Sequence, residues 1–435
     1  MLPIAFKAAV VIVMGLLGLY LLRARALERW SDATFLCAMA GIQLAAATVS
    51  FTLLYVVGHQ EVTSDVPSFY VPAARGVLEG QVPFRDFSLS YAPLFPYVGA
   101  GILWIWNSGK AFALLDILVN LLTLVAWNAA ALACTDRTAA RQSTILFATS
   151  GHVLVQGLLG TNQAWVAASV GISALLLQRS RETTSGIVQA VALCTTKFLT
   201  LLLWPVLWIC APRRLRWVGG ATVLAVIVYG AFTVTGASVL DPLRREGDLI
   251  TSGNLPYLFG ALNTGSHLHD RAIFDTVALL AVATSLAWLY LRSRRLMPPM
   301  RTALLPASIA LIGLVFMLVS KKSATGYEVF FMYPAILVTM HEWRRPGLAG
   351  GFLVVFNLLL AVEPSLWFHL EGGANRPLWE WLQASNGAPS TLTFIALDVC
   401  LLACYAIVAY LSVRWAARLT REPCTSSLGI RAATA

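Results

Sequence analysis

Charge is what this chain has least of. Asp, Glu, Lys and Arg make up 12% of its 435 residues, about half of the roughly 25% usual in soluble domains. The charges that are present fall between long apolar runs, the pattern of a polytopic membrane protein. The bilayer core holds no water, so each crossing segment must satisfy its own backbone hydrogen bonds as a helix. Alternating segments of about ten residues, the mark of a membrane β-barrel, are missing. Cysteine is scattered: Cys37, Cys134, Cys194, Cys210, Cys400, Cys404 and Cys424 lie nearly all in apolar runs or basic segments, with no CxxC. That spacing gives neither a disulfide framework nor a zinc site. No internal repeat, soluble domain or long linker is evident. The formal net charge of +10 raises the question of nucleic acid. Most Arg, however, sits in short loops beside apolar runs, where it orients helices, and no nucleic-acid module is recognisable, so no such partner is expected.

The distribution of Arg sets an orientation. The first apolar run, 2–22, lacks a small-residue cleavage site and runs into Arg23, Arg25 and Arg29. It reads as a retained helix rather than a signal peptide. Basic loops face the cytoplasm, so the next run, 34–57, heads outward and delivers the polar, turn-rich stretch 64–96 to the far side. The apolar run 94–106 follows, bounded by Pro93, Pro96 and Asn107-Ser108-Gly109. It is shorter than the about 20 residues that a crossing helix needs. If it crossed, Arg137, Arg141, Arg179 and Arg181 would all lie outside. It is therefore expected to lie along the outer interface. Further spans are expected at 111–134, 142–159, 164–178, 217–236, 273–291, 302–319, 327–341, 348–363 and 391–413. The stretch 187–211 has basic loops at both ends and is broken by Thr195-Thr196-Lys197 and Pro205. It reads as a hairpin of two short helices with Lys197 near the tip, since proline inside a helix removes a backbone bond. The expected fold is an all-α polytopic membrane protein, one integral membrane domain over 1–435 with about 13 membrane segments. Its outer loops fall at 58–109, 237–271 and 364–390.

Candidate chemistry gathers in those outer loops. Asp65 stands just beyond an outgoing span, where a positioned carboxylate can take a proton from an attacking hydroxyl. The alternative is an acid that caps the helix expected after it. Lys197 is an ionisable residue in an apolar stretch, a functional candidate by default; at a hairpin tip it suits a lipid phosphate as a point charge. Lys321, Lys322 and Arg244 are further candidates for a phosphate, with headgroup binding as the alternative for the lysine pair. Asp86 is a candidate for orienting an acceptor sugar or else a turn acid, and Arg85 is expected to pair with an acid of its own loop. His59, His152, His267 and His269 have no matched acid and read as ordinary polar residues, so no metal is expected. The tryptophans Trp367, Trp379 and Trp381 suit an interfacial aromatic belt.

The spacing Asp65, Tyr70, Ala73-Ala74, Gly80, Pro83-Phe84, Asp86-Phe87 and Tyr91-Ala92-Pro93-Leu94 resembles the first outer loop of the GT-C glycosyltransferase superfamily. Gly160-Thr161-Asn162-Gln163, the TTKF at 195–198 and the aromatic-basic stretch 208–217 resemble landmarks of glycosyltransferase family 87. Asn254-Leu255-Pro256-Tyr257 is similar to a further one. The resemblance covers about 64–260, and the family's Gly-Gln pair is here separated, as Gly160 and Gln163. It implies a GT-C-type bundle with juxtamembrane helices in the first outer loop. The implied activity is transfer of a sugar, mannose or another hexose or pentose, from a polyprenyl phosphate to a glycan or glycolipid. Asp65 would be the general base, acting with inversion. Tyr70, Tyr91, Asn162, Gln163, Tyr327 and Glu328 join Asp86 as candidates for acceptor or sugar contact. No cofactor beyond the lipid-linked donor is expected. A secondary transporter or lipid flippase remains open, since such proteins carry broken helices and intramembrane ionisable groups, as does a scaffold subunit.

Overall fold

The computed structural model describes residues 3–240, 242, 251–262, 271–371 and 389–420. Among these residues there is helix and no strand beyond one isolated bridge between Pro83 and Phe87. In chain order the helices are α1 (Ile4–Arg23), α2 (Asp32–Phe51), α3 (Val71–Leu78), α4 (Phe95–Ile105), α5 (Lys110–Cys134), α6 (Arg137–Ala148), α7 (Gly151–Leu158), α8 (Gln163–Gln178), α9 (Glu182–Thr195), α10 (Trp204–Cys210), α11 (Arg214–Val234), α12 (Leu255–Leu262), α13 (Arg271–Ser293), α14 (Leu305–Val319), α15 (Met332–Trp343), α16 (Pro346–Glu371) and α17 (Pro389–Leu419). Eight of the helices described are long and apolar enough to cross a membrane: the segments 4–23, 32–57, 110–134, 214–234, 273–293, 298–319, 346–367 and 389–419.

Where the chain departs from uninterrupted spans, the cause is local. The run 142–159 is two helices, because Thr149 leaves the helical path and Ser150 caps the next helix through the Val153 amide. The stretch 187–211 breaks after Thr195, as the Thr-Thr-Lys sequence suggested, and resumes as a short turn over Phe198–Leu202 before α10. The helix α4 has only the length of an interfacial segment. Its Gly99 and Ala100 side packs inward on α3, while Trp104 and Ile105 are about four-fifths exposed.

Packing follows two principles. Long helices bury one stripe and leave apolar residues such as Val223, Val226 and Ile227 facing outward, which is costly in water and neutral in lipid. Close helix pairs use small residues. At the α9–α11 crossing, a side-chain carbon on Gly186 would run into the carbonyl oxygen of Trp217. The pairs α5–α8, α14–α17 and α1–α16 are similarly extensive.

The two ends of the bundle differ. At one end the Arg141 guanidinium donates to the Leu27 and Trp30 carbonyls, both at 2.7 Å, and to Asp32 at 2.6 Å, with Arg137 also on Asp32 at 2.9 Å. Arg214 lies beside the stacked Trp208 and Tyr290 rings and bonds Ser293, and Arg414 and Arg418 pair with Glu342. The start of α5 marks the other end: there Lys110 donates to the Tyr55 carbonyl and pairs with Glu61. The stretch that carries Asp65 belongs to that second end.

Candidate active site

The geometry starts from backbone pairing. The Ala92 amide donates to the Thr196 carbonyl at 3.0 Å and the Leu94 amide to the Cys194 carbonyl at 2.9 Å. The end of the first long loop is thereby fastened to the end of α9. Lys197 follows in extended conformation, so its side chain emerges beside the loop. Asp65 arrives from the other direction. Ser64 has φ +73°, uncommon for a non-glycine residue, and turns the chain into a short helical run, Val66–Tyr70, that leads into α3. That run is seated by Gly160. With φ +68°, Gly160 brings the α7–α8 turn so close that an added Cβ would stand 3.0 Å from the Ala113 amide nitrogen and 3.2 Å from Val66.

Asp65 precedes a helix but makes no capping bond. Instead its Oδ2 accepts from the Tyr91 hydroxyl at 2.5 Å and lies 3.6 Å from Lys197 Nζ. The ammonium also sits 4.7 Å from the Tyr91 ring centroid and 5.5 Å from that of Tyr327, where the negative faces of the rings attract it. Burial, with the neighbouring Tyr70 and Asp65, pushes the Tyr91 phenol well above its ordinary range. It therefore stays protonated and holds the carboxylate as a donor. Beneath it, Tyr70 packs edge-on at 4.9 Å and accepts from the Asn162 amide at 3.1 Å. Burial raises its phenol too. Phe95 and Trp165 complete this rigid aromatic bed.

Next to the Asp65–Lys197 pair lies a cavity of about 240 Å³. Lys197, Lys322, Ser320 and Ser90 line it together with Leu202, Phe316 and Tyr327. Two ammonium groups beside apolar walls suit an anionic headgroup carrying an apolar tail.

The structure brings together Asp65, Tyr91, Lys197, Lys322 and Tyr327, with Tyr70, Asn162 and Gln163 buried behind them. It does not bring the remaining candidates there. Asp86 lies in a turn, held by the Val82 amide at 2.7 Å and by Arg85 at 2.8 Å. Lys321 is turned into the protein and paired with Asp275 at 2.6 Å. Glu328 is fully buried, bonded by the Tyr405 hydroxyl and 3.9 Å from His152 Nε2. Trp367 is buried and donates to the Tyr257 hydroxyl at 3.0 Å. Arg244, His267, His269, Trp379, Trp381 and Cys424 lie outside the described residues. Sequence reasoning passed over Ser90, Phe316 and Ser320 of the cavity. It also passed over the buried acids Asp116, Glu363 and Asp398, although acids inside apolar runs are a signal in themselves. Among the described residues no three His, Cys, Asp or Glu side chains converge as metal ligands. No family model, curated protein or solved structure matches this chain.

Proposed function

We propose that the chain is a GT-C-type membrane glycosyltransferase. It moves a sugar, mannose or another hexose or pentose, from a polyprenyl phosphate to a hydroxyl of a glycan or glycolipid. The reaction takes place at the outer face of the cell membrane. The observation that carries the reading is the meeting of Asp65 with Lys197 at the rim of an amphipathic cavity. The extracytoplasmic placement is supported by the positive-inside rule, because the cavity lies at the end of the bundle away from the arginine clusters. The eight long helices, the interfacial α4 and the shorter pieces α6–α7, α8, α9–α10 and α15 are compatible with about 13 membrane segments.

In this mechanism Asp65 presents Oδ1 to the acceptor while Tyr91 holds Oδ2. The acceptor hydroxyl passes its proton to Asp65 as its oxygen attacks the anomeric carbon from the face opposite the phosphate. The bond from that carbon to the phosphate oxygen breaks with inversion, and its electron pair stays on the lipid phosphate. Lys197 and Lys322 stabilise that oxygen as charge develops, the larger part of the protein's contribution. Lys321, turned to Asp275, takes no part in this role; Tyr327 and Ser90 border the donor sugar.

A second reading, a carrier for a lipid or solute, is favoured by Glu363 and Asp398, which are buried inside long apolar helices as coupling groups of carriers are. One experiment separates the two. The purified chain is reconstituted in liposomes with a labelled polyprenyl-phosphate mannose and a glycolipid acceptor, and lipid products are weighed by mass spectrometry. The enzyme adds one sugar mass to the acceptor. A carrier moves label across the bilayer and leaves every covalent mass unchanged.

A further inference from the structure

Away from the Asp65 cavity, three carboxylates are sunk in the bundle. Glu363 lies on α16, Asp398 about 13 Å inside the start of α17 at 1.5 Å per residue, and Glu328 on the turn before α15; all three are fully buried. The groups facing them come from several elements. Tyr405 of α17 donates to Glu328, and His152 of α7 points Nε2 at it from 3.9 Å. Lys7 of α1 is bonded to Ser365 at 2.7 Å, two residues along α16 from Glu363, and its charge acts on His152. Glu363 and Asp398 lie close enough for their charges to act on each other and, with Glu328, on Tyr405. The backbone of residues 251–254 closes over the pair: a Cβ on Gly253, which has φ +80°, would stand 3.7 Å from Glu363 Oε2.

Charge does not balance there. Among the described residues no lysine or arginine is paired with any of the three acids, whose closest basic group is His152 beside Glu328, and an uncompensated buried carboxylate is costly. The Ser252 side chain stands beside Glu363 and the Gly253 backbone beside Asp398, but neither closes a hydrogen bond within 3.5 Å, and one oxygen of Glu328 is likewise unbonded among the described residues. Independently, neither ring nitrogen of the fully buried His152 closes a hydrogen bond within 3.5 Å among those residues; the ring lies beside the Thr325 backbone and directs Nε2 at Glu328.

We propose that Glu363 and Asp398, with the 251–254 backbone, form a monovalent-cation site inside the membrane domain, separate from the Asp65 cavity, with Glu328 as a neighbouring charge outside the ligand set. Its ligand is one positive charge, a proton shared between the two carboxyls or an alkali ion held by them. Carboxylate oxygens beside an irregular stretch of backbone suit both, as at sodium and proton sites of membrane proteins. No three acid, His or Cys side chains converge among the described residues, so the site is assigned a single charge rather than a divalent ion, which gathers six or more oxygens. The turn that carries Glu328 also carries Tyr327 of the cavity, so the charge state of this site is linked to the cavity wall.

The test uses the full chain purified in detergent, in potassium-free choline buffer with sodium chloride or choline chloride added at equal ionic strength. Thermal unfolding is followed from pH 5 to 9, and infrared spectra are taken in water and in heavy water. A bound proton gives a protonated-carboxyl band at neutral pH that shifts in heavy water and disappears in Glu363→Gln and in Asp398→Asn. A bound alkali ion raises the unfolding temperature of the wild type with sodium, an increase those variants lose. Asp116→Asn, which changes a buried acid elsewhere on α5, removes at most its own part of the band and leaves in place both the part lost in those variants and the sodium response. If both substituted proteins fail to fold, the wild-type sodium and pH responses decide. A wild type without a protonated-carboxyl band and without a sodium response overturns the proposal, as does a band lost only in Asp116→Asn.

Discussion

Replacing Lys197 by Met removes the cation on which the proposed chemistry leans. The ammonium is 3.6 Å from Asp65, and the two side chains are 11% and 28% exposed. Two unit charges about 4 Å apart attract by about 4 kcal/mol at an effective dielectric of about 20. Partial solvation lowers the net contribution of such a pair to folding to about 1 kcal/mol or less. Lys197→Met is therefore expected to fold and to melt within a few degrees of the wild type. Its effect on transfer is larger. A positioned group that meets charge only as it develops stabilises the transition state by about 3–4 kcal/mol, a factor of about 10² to 10³ in kcat. The assay is single-turnover transfer of labelled sugar from a polyprenyl phosphate in liposomes, with the melting temperature as control. Lys197→Arg keeps a cation and is expected to recover most of the loss. Transfer by Lys197→Met within about threefold of wild type would refute the assignment of the leaving phosphate to this residue.

Three further outcomes follow from the same geometry. Tyr91→Phe deletes the 2.5 Å bond to Asp65; a hydrogen bond to a charged group contributes about 1.5–3 kcal/mol, so kcat/KM for transfer should fall about tenfold to a hundredfold while the ring bed stays packed. Asp86→Asn should leave transfer unchanged, because Asp86 lies in a turn with Arg85. Its carboxyl is held down to about 2 by Arg85 and the Val82 amide, so its contribution to stability is complete above about pH 4 and is lost as pH falls toward 2; denaturation curves of the variant should lack that component. Gly186→Leu forces α9 from α11 at the Trp217 carbonyl, and overpacking of about 1–3 kcal/mol or more should lower the melting temperature in detergent and disturb Lys197 at the end of α9.

The helical content and most of the long helices were legible because membrane proteins leave strong marks: apolar runs of bilayer length and arginines at their ends. The shortness of α4 followed from the turn residues that bound the run 94–106. The breaks at Thr149-Ser150 were not legible, because a Ser that caps a helix and a Ser inside one look alike until Asn357 and the Val153 amide are placed. The site was half legible. Asp65 and Lys197 stood out as ionisable groups at chain interruptions. Their meeting depends on backbone bonds from Ala92 and Leu94 to α9, a contact between distant segments without a local signature. Side-chain direction was beyond reach as well. Lys321 and Lys322 are neighbours, yet one turns to Asp275 and the other lines the cavity. Tyr327 and Glu328 divide in the same way, one to the cavity and one to the buried core. The acids Glu363 and Asp398 were visible in the sequence at or inside apolar runs, but nothing local pairs one with the other.

The most direct test of the central claim is the transfer rate of purified Asp65→Asn beside wild type, with a polyprenyl-phosphate sugar as donor and the product mass as readout. The substitution keeps the size of the side chain and its contact with Tyr91 and removes the base. The account predicts wild-type product one sugar heavier than the acceptor and a rate for Asp65→Asn lower by at least about 10². Equal rates for the two proteins would contradict it.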